Sequence, residues 1–183
     1  MDAVVALHRK NLYYSTNSRL GASHLSYLYS VMQKDVTCLA MVAVSNEEVL
    51  GVVSATLDPG KFTRQLFGKL PAKRWAALLI HLASQPGIWL EWLESRSTNR
   101  PVLYQGREVK PCLTAIAVSL SARRRGVGRA LVNSVDEFVL RNGGSAYHLD
   151  TRADNSIARA FYKQLGFIEL EERGRDVIFV RQL

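Results

Sequence analysis

The chain has 183 residues, of which 48% are hydrophobic and 22% charged, and this balance excludes a disordered or fibrous protein and indicates one globular domain over residues 1–183. The formal net charge is +8, yet it is spread along the chain without a basic tail, which argues against a nucleic-acid partner. The one dense cluster, Arg123, Arg124, Arg125 and Arg129, is short enough to suit a polyphosphate, so an anionic small molecule is the leading partner.

Cysteine spacing and hydropathy predict the compartment. Cys38 and Cys112 lie far apart without a CxxC or Cys/His spacing, which indicates neither a disulfide framework nor a zinc site. The N-terminal segment is charged and lacks the apolar core of a signal peptide. The longest apolar run, 75–83, is interrupted by His81 and is too short to span a membrane. We therefore expect a cytoplasmic protein that binds no metal and does not contact a membrane. Formation of a homodimer remains an alternative.

The first third of the chain predicts helices followed by a β-hairpin. Helical patterns cover roughly residues 3–13 and 22–33, with a polar link at 15–19. The β-branched runs 36–44 and 49–57 flank turn residues at 45–47, which is the pattern of a hairpin.

The middle segment predicts short helices and then a loop. Residues 61–95 have a helical pattern that Pro71 and Pro86 divide. The polar stretch 96–110 has no periodicity and indicates an exposed loop.

The last third predicts a βαβα core with a terminal hairpin. Its strands are expected at 112–118 and 146–151, and its helices at 126–141 and 156–165. One face of the first helix should pack on the sheet. That face comprises Val127, Leu131, Ser134, Val135 and Phe138. The residues Asn142, Gly143 and Gly144 are typical of a helix C-cap.

The strand at 112–118 leads through RRRGVGRA directly into a helix, which is the outline of an anion site. Gly126 and Gly128 permit a tight turn and a close approach of phosphates, and the free amides of the helix start face them. Leu131 stands where a dinucleotide fingerprint needs a third glycine, and the GK(S/T) of a P-loop is absent. For this segment alone, a solvated basic helix start with structural glycines is the alternative.

A second segment, Ala153 to Phe167, makes the pattern specific. Arg123 to Gly128 matches (Q/R)xxGx(G/A), and ADNSIARAFYKQLGF contains NxxAxxxYxxxGF. Together the two motifs resemble those of the GCN5-related N-acetyltransferases (GNAT). The resemblance implies an α+β fold, with a strongly twisted mixed β-sheet that is flanked by helices and splays open beside the strand at 112–118. It also implies that acetyl-CoA is the co-substrate and lies in that gap.

The resemblance further implies roles for individual residues. Tyr162 corresponds to a general acid toward the CoA sulfur, although an aromatic core residue at helical spacing is the alternative. Asn155 is expected to contact CoA, to cap the helix, or to do both. The residues implied in acetyl-CoA binding are Ile116, Ala117, Val118, Arg123, Arg124, Arg125, Gly126, Val127, Gly128, Arg129, Ala130, Asn155, Ala158 and Tyr162.

The general base and the acceptor are less defined. The strand LTAIAV carries no carboxylate or histidine that could act as the general base. His148 and Asp150 on the next strand are therefore the alternative candidates for this role. We expect transfer to a primary amine of a small molecule such as an amino sugar, chosen by elements at 1–35 and 58–110 with their aromatic residues. A peptide or protein acceptor, and a non-catalytic CoA- or RNA-binding module, remain alternatives.

Overall fold

The computed structural model describes residues 1–83 and 100–183 of the chain. Its strands are β1 (Cys38–Ser45), β2 (Glu48–Thr56), β3 (Leu103–Tyr104), β4 (Arg107–Glu108), β5 (Cys112–Val118), β6 (Ala146–Arg152), β7 (Ile168–Arg173) and β8 (Asp176–Gln182). Six of them form one mixed sheet in the order β1-β2-β5-β6-β8-β7, and β3 and β4 form a separate ribbon. Within the large sheet β5 and β6 are parallel, and the other neighbouring pairs are antiparallel.

The helices flank this sheet on both faces. They are α1 (Asp2–Asn11), α2 (Thr16–Arg19), α3 (Ala22–Met32), α4 (Pro59–Gly68), α5 (Ala72–Ala83), α6 (Val127–Arg141) and α7 (Ser156–Gln164). The predicted break at Pro71 is confirmed, whereas Pro86, Trp89 and Trp92 lie outside the described residues. The polar link at 15–19 forms α2, because the Ser15 hydroxyl caps it by accepting the N–H of Ser18 at 3.2 Å. No helix in the described ranges is long and apolar enough to cross a membrane.

Two large core clusters sandwich the sheet. The first joins α6 and α7 to one face, with Val53, Leu149 and Phe179 among its buried members. The second joins α1, α3 and α4 to the opposite face of β2 and β5. The fold class inferred from the sequence is therefore confirmed, as a sheet with helices on both sides.

The segment 96–110 was predicted to be an exposed loop, and its described part is different. Gln105 and Gly106 both have positive φ, +50° and +74°, which is the geometry of a two-residue hairpin turn between β3 and β4. The residues that flank this ribbon, Val102 and Val109, are buried in a third cluster with Ile178. This part of the segment therefore covers the sheet beside β8, and two isolated valines gave no periodicity from which to predict it.

Helix α6 confirms the predicted position but not the whole predicted face. Leu131 and Val135 are buried as expected, and Val132 and Val139 complete the stripe. Ser134 is not part of it, because its hydroxyl donates to the carbonyl of Ala130 at 3.1 Å within the helix.

The C-cap of α6 is confirmed. Gly143 has φ +76°, and the N–H of Gly144 donates to the carbonyl of Val139 at 2.9 Å, as in a Schellman motif.

The sheet opens between β5 and β6. In the described chain these parallel strands pair at one position, Cys112 with His148, whereas β5 stays paired with β2 as far as Val118 and β6 with β8 along its length. A bulge in the β2–β5 ladder lies at Thr114, just where the strands separate. The predicted splay beside the strand at 112–118 is thus confirmed, and it leaves one edge of β5 without a ladder partner among these residues.

Candidate active site

The loop between β5 and α6 presents unpaired amides. Gly126 precedes α6 and has φ +82°, and Arg124 has φ +58°, so the backbone turns sharply before the helix begins. The N–H of Ala130 donates to the carbonyl of Gly126 at 3.0 Å, which leaves the preceding amides of the first turn without intrahelical acceptors. These amides and the positive end of the helix dipole make the loop suitable for binding an anion.

Basic side chains surround this loop. Arg123, Arg124, Arg125 and Arg129 are exposed, where their guanidinium groups are available to a phosphate. Arg123 also donates from Nη2 to Asn11 Oδ1 at 2.9 Å and so ties the loop to the end of α1. The arginine cluster therefore belongs to the same loop and helix start as the unpaired amides, and Arg123 also ties this loop to α1.

The two glycines of the loop have different roles. A Cβ on Gly126 would meet no atom within 4 Å, so this residue is needed for its left-handed φ. A Cβ on Gly128 would lie 3.0 Å from Cζ of Phe161 on α7, so this residue is needed for the close contact between two helices. The structure thus gives Gly128 a packing role, and the clearance for phosphates that the sequence indicates stays a prediction.

The floor of the opening is the unpaired edge of β5. Ile116 and Val118 are half-buried on the side of α6, and Ala117 is buried against the helices of the opposite face. Beyond Cys112, the backbone groups of β5 have no ladder partner on β6. This edge can therefore form hydrogen bonds with an extended ligand in the gap.

Asn155 lies at the start of α7 on the far side of the gap. Its Oδ1 accepts the N–H of Ala158 at 3.1 Å, so the N-cap predicted from the sequence is confirmed. Burial raises the pKa of the Tyr14 hydroxyl, and the nearby side chain of Asn155 offsets part of that rise. Tyr14 belongs to the link between α1 and α2, which therefore reaches across the gap to α7. An adjacent pair of tyrosines, Tyr13 and Tyr14, was the one sequence signal for this residue.

Tyr162 projects from α7 into the core. Its side chain is 6% exposed, and its ring centroid lies 5.3 Å from that of Phe167 and 5.7 Å from that of Phe179. Burial raises the pKa of the hydroxyl, with further contributions from Tyr14, Asp150 and Cys112. The hydroxyl is therefore protonated at neutral pH, and no other described residue accepts its proton in a hydrogen bond. The core packing considered as an alternative is present, and it is compatible with proton donation.

His148 and Asp150 differ although both lie on β6. Burial lowers the pKa of His148, whose Nδ1 has no hydrogen-bond partner among the described residues, and its ring lies beside the backbone of Val109 and Pro111. The side chain of Asp150 is exposed, although many protein atoms lie near its carboxyl group. Burial and then Asp176 raise the pKa of Asp150. Of the two residues, Asp150 is the one that a ligand can reach.

Two exposed polar side chains flank the point where the strands separate. Cys112 on β5 pairs with His148 on β6, and two residues further along each strand lie Thr114 and Asp150. Cys112 itself is buried, and burial raises the pKa of its thiol well above the ordinary value, so it remains a neutral thiol. The described residues contain no cluster of three or more His, Cys, Asp or Glu side chains placed to hold a metal ion.

Comparison with known proteins gives one family. The model of the acetyltransferase (GNAT) family matches residues 9–167. The PaiA N-acetyltransferase of Thermoplasma acidophilum, solved in complex with coenzyme A, is 11% identical with a TM-score of 0.63, covering 99% of this chain and 91% of that one. The aminoglycoside antibiotic 6′-N-acetyltransferase AAC(6′)-IG of Acinetobacter haemolyticus is 19% identical with a TM-score of 0.57, covering 93% and 86%. Ard1 of Thermoplasma volcanium is 14% identical with a TM-score of 0.57, covering 99% and 91%. At these identities the structural likeness establishes the fold.

Proposed function

Since the chain belongs to the acetyltransferase (GNAT) family, we propose that it transfers the acetyl group of acetyl-CoA to a primary amine. The observation that carries the proposal is the opening between β5 and β6, with the unpaired amides of α6 beside it and the Tyr162 hydroxyl near Asp150 and Cys112, where the two strands separate. An anion-binding site continuous with an unpaired strand edge suits a ligand that has a pyrophosphate and an extended amide-containing arm.

The loop offers acetyl-CoA a fitting set of groups. The amides from Arg124 to Arg129 would receive the pyrophosphate, and the four arginines would form charge-assisted hydrogen bonds around it. Ile116 and Val118 would offer backbone groups to the pantetheine arm, while Asn155 and Ala158 would contact it from α7.

Gly126→Ala is expected to weaken acetyl-CoA binding by about 10-fold or more, because the new methyl group projects from the turn where the pyrophosphate would lie. A left-handed alanine costs about 1–2 kcal/mol of stability, which a folded domain tolerates. Gly106→Ala is the matched control, since Gly106 also has positive φ and open space but lies in the β3–β4 turn. Calorimetry should show weakened binding in the first variant alone. Equal affinities in both variants would contradict the assignment of the pyrophosphate to this loop.

The reaction makes three demands on the protein. The acceptor must lose a proton before its nitrogen attacks the thioester carbonyl, and Asp150 accepts that proton directly or through one water. The carbonyl oxygen becomes an oxyanion, which backbone N–H groups near Val118 stabilise. The C–S bond then breaks, and the thiolate of CoA takes the proton of Tyr162. The nitrogen of the tetrahedral intermediate carries one proton more than the amide product, and this second proton restores the Tyr162 hydroxyl by way of water. The first proton, gained by Asp150, leaves to solvent.

The acceptor side favours a small cationic amine. Asp150 and Asp176 place two carboxyl groups near the Tyr14 hydroxyl, and burial raises the pKa of Asp176 as it does that of Asp150. In α5, Trp75 is 39% exposed and its ring centroid lies 5.8 Å from that of Phe67. Because AAC(6′)-IG is an aminoglycoside acetyltransferase on the same fold, an amino sugar is the acceptor class we favour.

A screen for release of the CoA thiol tests this function. The purified chain with acetyl-CoA should release thiol when small primary amines and amino sugars are added, and mass spectrometry should find the N-acetylated product. Peptides with free amino groups are included, since a faster reaction with them would replace the small-molecule acceptor by a peptide. A chain that binds acetyl-CoA but acetylates none of these amines would contradict the proposed function in favour of a non-catalytic CoA-binding module.

A further inference from the structure

An ion pair beside the first core cluster joins α6 to β8. Arg181 donates from Nε to Oδ1 of Asp136 and from Nη2 to Oδ2, both at 2.8 Å, so the two planar groups form a bidentate pair. Their side chains are 20% and 16% exposed. The Tyr147 hydroxyl on β6 donates to the same Oδ1 at 2.7 Å. Both carboxylate oxygens of Asp136 are therefore engaged, and they fix the orientation of the guanidinium group.

The third nitrogen of this guanidinium group holds the end of α7. Nη1 of Arg181 donates to the carbonyl of Leu165, which is the C-cap residue of α7. The same group lies over the ring of Phe167, 5.4 Å from the ring centroid. One side chain thus contacts α6, the end of the helix that carries Tyr162, and the aromatic residue that follows this helix.

Stability alone does not account for this ion pair. Removing two charges from water costs free energy that their attraction only partly returns, and apolar side chains of similar size often stabilise such a position equally well. A bidentate pair does supply a defined geometry, because the rigid fork of the guanidinium group binds its partners in one orientation. Neither Asp136 nor Arg181 belongs to a motif of the sequence analysis. The pair therefore defines where α7 ends relative to α6.

Tyr162 is a residue whose position depends on that geometry. No described residue accepts the proton of its hydroxyl in a hydrogen bond, so the packing of its ring and the position of α7 determine where the hydroxyl lies. Its ring packs against Phe167, with the centroids 5.3 Å apart, and Phe167 packs against Tyr147 at 5.6 Å. The N–H of Leu165 donates to the carbonyl of Tyr162 at 3.0 Å. Arg181 therefore contacts both the helical turn and the aromatic ring that locate Tyr162.

We propose that Arg181, oriented by Asp136, positions Tyr162 for proton transfer to the sulfur of CoA. The inference rests on the proposed function and adds two positioning residues to it. In the step concerned, the O–H bond of Tyr162 breaks while the S–H bond of CoA forms, and the second proton of the acceptor nitrogen restores the hydroxyl through water. Arg181 acts on this step through the end of α7 and through Phe167.

Arg181→Lys tests the positioning while the charge is retained. A lysine keeps an ion pair with Asp136 but lacks the planar fork, so it cannot also hold the carbonyl of Leu165 in a fixed direction. The single-turnover rate should fall by about 10-fold or more, because a displaced proton donor slows the transfer, while acetyl-CoA affinity by calorimetry stays nearly the same. Arg141→Lys is the matched control. Arg141 forms an exposed pair with Glu137 on α6 at 2.7 Å, so this variant should keep the wild-type rate.

The Tyr162→Phe background distinguishes positioning from a general structural role. If Arg181 acts through the Tyr162 hydroxyl, Arg181→Lys should cause no further loss of rate once that hydroxyl is absent. Equal fractional losses with and without the hydroxyl would overturn the inference. With the hydroxyl present, Arg181→Lys should also raise the solvent deuterium isotope effect on the single-turnover rate, because transfer of the phenolic proton becomes the slowest step.

An apolar replacement of the ion pair gives a second test. Asp136→Leu, Tyr147→Phe and Arg181→Met are made together, so that none of these polar groups is left buried without its partner. The triple variant should have a Tm near that of the wild type and a rate as low as that of Arg181→Lys. A folded triple variant with the wild-type rate would overturn the inference and leave the proposed function intact. So would a Tyr162→Phe variant with the wild-type rate, whereas a wild-type chain that acetylates no amine would overturn both.

Discussion

Tyr162→Phe is expected to lower kcat by about 10²-fold or more while leaving acetyl-CoA affinity nearly unchanged. The phenol is protonated at neutral pH, since burial first and neighbouring Tyr14 and Asp150 next raise its pKa. Loss of the hydroxyl would remove the proposed proton donor to the CoA thiolate and preserve the ring packing against Phe167 and Phe179. Single-turnover kinetics, in which chemistry limits the rate, should show the loss.

Tyr104→Phe is the matched control for this variant. Its hydroxyl donates to Gln182 at 3.3 Å on the β3–β4 ribbon, so the same chemical change is made away from the opening. This control should keep the wild-type rate. If Tyr162→Phe had the wild-type single-turnover rate, the residue would have the core role alone.

Asp150→Asn should lower kcat/KM for the amine by about 10²-fold or more, because a neutral amide cannot accept the proton of the ammonium group. Burial and Asp176 raise the pKa of Asp150, so wild-type activity should rise with pH as this carboxyl ionises, and the variant should lack that limb. Stability should move the other way. A folded-state pKa above the unfolded value means that the ionised carboxyl disfavours the fold, so the wild-type chain loses stability as pH rises through that pKa. At neutral pH the variant should therefore have a Tm equal to or above that of the wild type.

Asp154→Asn removes one negative charge nearby and serves as the control. Asp154 is exposed and paired with Arg152 at 3.3 Å, so its loss should change kcat/KM by a small factor. Equal losses in both variants would indicate a general effect of charge. A fall in activity together with a fall in Tm for Asp150→Asn would indicate a structural role.

The features that could be predicted from the sequence are those that depend on residues close together along the chain. The turn before α6 depends on Gly126 and the amides that follow it, and the cap of α7 depends on Asn155 and Ala158, three residues apart. The opening between β5 and β6 could be predicted only through the family resemblance, because no residue type in either strand indicates where their pairing ends.

The other parts depend on contacts between distant residues. Arg181 lies 45 residues from Asp136 and 16 residues from Leu165, so no periodicity links them. Likewise, Val102 and Val109 are buried because β8 presents Ile178 to them. In each case a residue of ordinary type acquires its role from the tertiary fold, which a pattern within one segment does not encode.

The single ladder position shared by β5 and β6 also affects how the molecule unfolds. Strands β1, β2 and β5 form one continuous hydrogen-bonded ladder, and β6, β8 and β7 form another, while the backbone bonds that join the two are few. Cooperative units of unfolding follow such boundaries, so partial opening along this seam requires less free energy than opening within either half. A ligand lodged in the seam closes it from both sides, and at 100 times its Kd it adds about 2.7 kcal/mol to the free energy of opening. The bound substrate would then take the place of a missing strand. The ligand-free protein would be cleaved by proteases and would exchange its amide hydrogens faster than the ligand-bound protein.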